Sequence, residues 1–94
     1  MSREFDWDEP KRRANIKEHG IDFVLAARIF NGPTLEEIDD REDYGEERII
    51  AYGHVDGVVL RIVYTLRDDA TRIITAQRAS KRAEEEYYQE VYPR

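Results

Sequence analysis

The chain has 94 residues, 40% of them hydrophobic and 38% charged, with a formal net charge of -6 and no cysteine. Residues 1–94 therefore form one domain around a single core, and six tyrosines with a lone tryptophan favour a packed globule over a disordered chain. Disulfides and thiolate metal sites are excluded and a reducing, cytoplasmic compartment is expected; without an apolar run long enough for a signal or a span, no membrane partner is expected.

In chain order, Arg3 to Trp7 reads as a short strand with Phe5 and Trp7 on one face. Asp8 is placed to cap a helix from Glu9 to Glu18, with Pro10 in its first turn and Gly20 as its stop. That helix is cationic through Lys11, Arg12, Arg13 and Lys17. Asp22 caps a second helix from Phe23 to Phe30, whose Phe23, Ala27 and Phe30 recur at helical spacing before Asn31-Gly32-Pro33 ends it. Thr34 to Ile38 reads as an acidic strand, and Asp39 to Glu46 as an exposed acidic loop.

Three strands follow, Glu47 to His54, Val58 to Leu66 and Thr71 to Gln77, joined through Asp56-Gly57 and Asp68-Asp69. Links this short imply an antiparallel meander. Ser80 caps a closing helix that runs to Tyr92, with Pro93 beyond it. The expected fold is α+β: an antiparallel sheet, made of the C-terminal meander and the N-terminal strand, with two N-terminal helices and a C-terminal helix on one side of it.

Arg72, Arg78, Lys81 and Arg82 crowd the junction of the last strand and the last helix. In an acidic chain such a cluster points to a phosphate or another anion, because charges beyond roughly 8 Å are largely screened at physiological salt. Simple alternation puts Arg72, Ile74, Ala76 and Arg78 on one strand face, opposite Ile73, Thr75 and Gln77. Lys11, Arg12, Arg13 and Lys17 form either a solvated helix face or the wall of a nucleic-acid groove. His19 ends its helix, where it caps or, with an ordinary pKa near ~6.5, shuttles protons. Glu47 and Arg48 read as a surface ion pair worth at most ~1 kcal/mol, and Tyr87 or Tyr88 as a core aromatic. His19 and His54 stand in no zinc-like spacing, so no metal site is expected. The acids from Glu36 to Asp43 read as a solvated loop.

The segments FDWDEPKRRANIKEHGIDF, ERIIAYG, YTLR and RIITAQRASKR together resemble the BrnT family of type II toxins. The matching positions are Phe5, Trp7, Asp8, Lys11, Asn15, His19, Gly20, Glu47, Arg48, Gly53, Thr65, Arg67, Ile74, Ala76, Ala79 and Tyr87. Four positions depart from the family pattern. Gln77 stands where an arginine is usual, Ala83 and Leu66 where glutamates are usual, and Glu18 separates Lys17 from His19.

The resemblance implies a RelE-like ribonuclease that cleaves RNA and arrests growth. It implies neutralisation by a BrnA-like ribbon-helix-helix antitoxin in a heterotetramer, with operator DNA bound through the antitoxin. On this resemblance, cleavage is expected to need no cofactor and to proceed by attack of the 2′-OH. Arg67, Arg72 and Arg78 are expected to clamp the phosphate, since guanidinium forks stay charged and donate two hydrogen bonds. His19, Glu47 or Tyr87 would move protons, and Lys11, Lys17, Arg48, Lys81 and Arg82 would follow the RNA backbone. Gln77 and Ala83 leave a second expectation open: an inactive homologue that binds antitoxin and serves transcriptional control.

Overall fold

The computed structural model describes residues 3–93. Its strands are β1 (Phe5–Asp6), β2 (Leu35–Asp39), β3 (Arg48–Val55), β4 (Val58–Arg67) and β5 (Ala70–Arg78). Its helices are α1 (Glu9–His19), α2 (Phe23–Ala26), continued by a 3₁₀ turn over Ala27–Asn31, and α3 (Lys81–Val91). The strands form one sheet in the order β1-β5-β4-β3-β2. The meander is present, with β3, β4 and β5 antiparallel. β1, however, joins β5 in parallel, Phe5 beside Thr71 and Asp6 beside Arg72. The sheet is therefore mixed rather than purely antiparallel.

Local chemistry accounts for the elements. The Asp8 carboxylate accepts from the Lys11 amide at 3.1 Å and caps α1, and Ser80 caps α3 through the Ala83 amide. Both meander turns use positive φ at both central residues, Asp56 with Gly57 and Asp68 with Asp69; that geometry matches the right-handed twist of the flanking strands. Gly53 answers a close approach instead: a Cβ there would lie 2.7 Å from Ile29 Cβ, so only glycine lets the 3₁₀ turn sit flat on β3.

Two cores form on opposite faces of the sheet. The larger joins Phe23, Ala26 and Ile29 to Ala51, Leu60, Ile62, Tyr64, Ile73 and Ala76, with Phe5, Trp7 and Phe30 at its rim. The smaller packs α3 residues Ala83, Tyr87 and Val91 on Val59, Tyr52 and Leu35. In the strand register Val59 and Tyr52 lie opposite in face to Leu60 and Ala51. α3 therefore crosses the other side of the sheet from α2 and its 3₁₀ turn, while α1 runs along the β5 edge. The one-sided helix layer expected from the sequence is thus corrected: helices cover both faces.

A bulge at Ile74 decides which side chains share a face. Val63 pairs with Thr75 but Tyr64 pairs with Ile73, leaving Ile74 as the extra residue. An inserted residue reverses alternation beyond it. Arg72, Thr75 and Gln77 therefore lie on the α3 side, while Ile73, Ala76 and Arg78 lie on the other. The expected Arg72–Ile74–Ala76–Arg78 face does not form. Asn15, buried on α1, seals the edge of β5 here by donating to Ala76 O and Ile21 O at 2.8 Å and accepting from the Ala76 amide.

Candidate functional site

α3 covers the end of its sheet face nearest the Asp56-Gly57 hairpin. At the other end, the same face is open and forms the floor of a cleft of 330 Å³ lined by Asp8, Lys11, Tyr44, Glu46, Arg48, Thr65, Arg67, Arg72 and Ile74. Arg48, Thr65 and Arg72 come from adjacent strands in register: Thr65 pairs with Arg72, and Arg48 follows on β3. Lys11 enters from the first turn of α1. The Ile74 bulge forms part of the wall, which agrees with the general use of bulges to re-aim side chains beside sites.

The segment 40–47 roofs the cleft. It is anchored by Asp39, which is 4% exposed and accepts from Arg41 Nε and an Arg41 terminal nitrogen, both at 2.7 Å. Tyr44 Oη also donates to Asp39, at 3.4 Å. Hydrogen bonding from Arg41 holds the Asp39 carboxyl down to about 2, against the opposing effect of burial. A carboxyl depressed in the folded state contributes stability above its unfolded value and loses it as pH falls through the folded one. The stability gap between the parent chain and Asp39→Asn is therefore expected to be constant above pH ~4 and to shrink between ~4 and ~2. Denaturant midpoints measured across that range check it.

Inside the cleft, Glu46 accepts from Arg67 at 3.1 Å and from Arg48 at 3.4 Å. Arg67 first, then Arg48, hold its carboxyl below the usual range. Arg72 is paired with Asp6 at 2.6 Å across the β1–β5 junction. Arg48 also lies over the Tyr44 ring, its guanidinium carbon 4.0 Å from the ring centroid. Thr65 is buried and donates to Glu47 O at 2.8 Å, fixing where the loop rejoins β3. The result is four cations converging on one small volume with two carboxylates, Asp8 and Glu46, among them. An anion entering this volume meets guanidinium forks and an ammonium in partly desolvated surroundings, where charge-assisted hydrogen bonds are strong.

The structure brings together only some of the residues singled out from the sequence. Lys11, Arg48, Arg67 and Arg72 meet in the cleft. His19 lies in a neighbouring depression of 240 Å³ that shares Lys11 and Ile74 with the cleft. Glu47 is exposed and its side chain is not part of the lining. Arg78 is exposed on the opposite sheet face, set there by the bulge. Lys81 and Arg82 begin α3, away from the cleft, where Arg82 pairs with Glu86 at 3.4 Å. Lys17 is solvent-exposed on α1.

Tyr87 is fully buried in the smaller core, donates to Pro33 O at 2.7 Å and is not part of the cleft lining. Neither Gln77 nor Ala83 lines the cleft; Ala83 packs in the α3 core. Sequence reasoning missed Tyr44, Glu46 and Asp8. The available signal was an aromatic residue isolated inside an otherwise polar, acidic loop. Among the described residues no group of three or more His, Cys, Asp or Glu side chains is arranged to hold a metal ion, and no helix is long and apolar enough to cross a membrane.

A family model described as "Ribonuclease toxin, BrnT, of type II toxin-antitoxin system" matches residues 7–83. Every residue lining the cleft falls inside that segment. Among solved structures, the chain is similar to the ribonuclease toxin BrnT of Brucella abortus, with 26% identity and a TM-score of 0.64 over 85% of this chain and 100% of that one. No curated protein sequence gives a significant match.

Proposed function

The chain belongs to the BrnT family of ribonuclease toxins of type II toxin–antitoxin systems, and from that premise we propose that the cleft binds an RNA phosphate and cleaves the chain there by attack of the adjacent 2′-OH. The observation that carries the reading is the convergence of Lys11, Arg48, Arg67 and Arg72 on one open end of the sheet. Arg67 and Arg72 hold the phosphate oxygens, and the extra negative charge of the pentavalent phosphorus is stabilised by donors already in place. Lys11 and Arg48 receive the flanking backbone.

Glu46 is the carboxylate best placed to accept the 2′-OH proton. At rest its arginine partners make it a weak base. RNA that draws Arg67 to the phosphate and Arg48 to the flanking backbone returns Glu46 toward its ordinary basicity. The 2′-oxygen then bonds to phosphorus, the bond to the 5′-oxygen breaks, and that oxygen takes a proton from an acid. Lys11, in the cleft, and His19, in the adjoining depression, are the candidates for it. Proton transfer of this kind is typically worth 10²–10⁴-fold.

In the cell, the chain is proposed to act in the cytoplasm as a growth-arresting toxin held by a BrnA-like antitoxin in a heterotetramer that also binds operator DNA. The position of Gln77 and Ala83 outside the cleft supports this catalytic reading over an inactive, antitoxin-binding homologue. The purified chain, freed of antitoxin, is expected to cut RNA in EDTA and to leave 2′,3′-cyclic or 3′-phosphate ends with 5′-hydroxyl partners. End-group analysis of the fragments checks it. Strict magnesium dependence or 5′-phosphate products would overturn the mechanism.

A further inference from the structure

We propose that Tyr44 and Arg48 form a nucleobase-stacking subsite, holding the base that neighbours the phosphate bound by Arg67 and Arg72. The inference rests on the reading of the cleft as an RNA site and goes beyond it by assigning what grips the base.

Among the described residues, Tyr44 is the only aromatic one lining the cleft. It belongs to neither hydrophobic core, so packing does not explain it. One side of its ring is covered by the Arg48 guanidinium, 4.0 Å from the centroid. The phenol oxygen is bound to Asp39, itself nearly buried and locked to Arg41. The ring is held chiefly by the guanidinium stacked against it, so a base stacking on the pair meets a partly preformed surface and loses less freedom than on a loose side chain. A guanidinium behind an aromatic ring adds cation–π attraction, which makes the pair a continuous planar platform.

Anchoring the loop is the competing explanation for this side chain. That task is already met elsewhere: Asp39 binds Arg41 through two nitrogens, and Glu46 binds Arg67 and Arg48. Tyr44 contributes a single long hydrogen bond of 3.4 Å to it. Stacking tolerates all four bases because each has a π-face, so the subsite supplies affinity and register and leaves sequence choice to base-edge contacts.

The test uses the full chain and fluorescently labelled DNA oligonucleotides, which lack the 2′-OH and so stay intact, in base-bearing and wholly abasic forms. Anisotropy titrations with Tyr44→Ala are expected to weaken the base-bearing strand by about tenfold and the abasic strand hardly at all. Tyr44→Phe should restore binding and Tyr44→Leu, which keeps bulk without a π-face, should not. Equal weakening of both strands, no weakening of either, or rescue by Tyr44→Leu overturns the subsite. So does a Tyr44→Ala defect confined to antitoxin binding. Arg67→Ala reports separately on the underlying reading: if the abasic strand binds it as well as the parent, the cleft is not the phosphate site, whatever Tyr44 does.

Discussion

Arg67→Ala is expected to lower RNA cleavage about 10²-fold or more, the usual loss when one preorganised donor to a developing oxyanion is removed. Arg67 is the cleanest of the four cations to test. Its side chain is half-exposed and its only ion-pair partner among the described residues is Glu46, so the fold loses at most ~1 kcal/mol. Arg72 is less clean, because its bond to Asp6 also ties β1 to β5. The matched control is Arg78→Ala. The sequence cluster that first marks an anion site contains Arg78, yet the Ile74 bulge sends it to the other face. Arg78→Ala should therefore retain cleavage close to the parent. Initial rates on one RNA substrate, with melting curves for each variant, check both expectations. A dead Arg78→Ala that stays folded would place the chemistry on the opposite face.

Element order and most boundaries were legible because their signals are local. Asp8, Asp22 and Ser80 cap the helices predicted after them, and the acid-rich turns at Asp56-Gly57 and Asp68-Asp69 take the positive φ that short hairpins demand. The parallel β1–β5 pairing was not legible, since it joins residues more than sixty positions apart with no turn between them. The bulge was equally silent in the sequence, and its effect is large: one inserted residue moves Arg78 off the face that holds Arg72. Arg48 was read as half of a surface pair with Glu47, whereas its carboxylate partner is Glu46. Neighbours in a loop that turns back on itself cannot be distinguished by spacing alone. Lys11 and Arg72 were chosen for their charge. What brings them together is tertiary: the docking of α1 along β5 through Asn15.

Tyr87→Ala is expected to cost about 3–5 kcal/mol, the range for truncating a large buried aromatic, against a total of roughly 5–15 kcal/mol for a domain of this size. Tyr87 is fully buried between Val59 and Ala79 and meets His54, Tyr88 and Tyr92 edge-on, with ring centroids 6.1, 5.3 and 6.4 Å away. Removing the ring empties the smaller core and unseats α3. At the usual scaling for small domains that is a fall in melting temperature of well over ~10 °C, or loss of folding outright. Tyr87→Phe separates structure from chemistry. It keeps the ring and removes only the bond to Pro33 O, worth about 1 kcal/mol. Burial raises the phenol pKa, and the hydroxyl's proton is engaged by Pro33 O rather than by any residue lining the cleft. Cleavage by Tyr87→Phe should therefore match the parent at temperatures where both are folded. A folded Tyr87→Phe chain that no longer cuts RNA would return this tyrosine to the chemistry and remove the cleft from it.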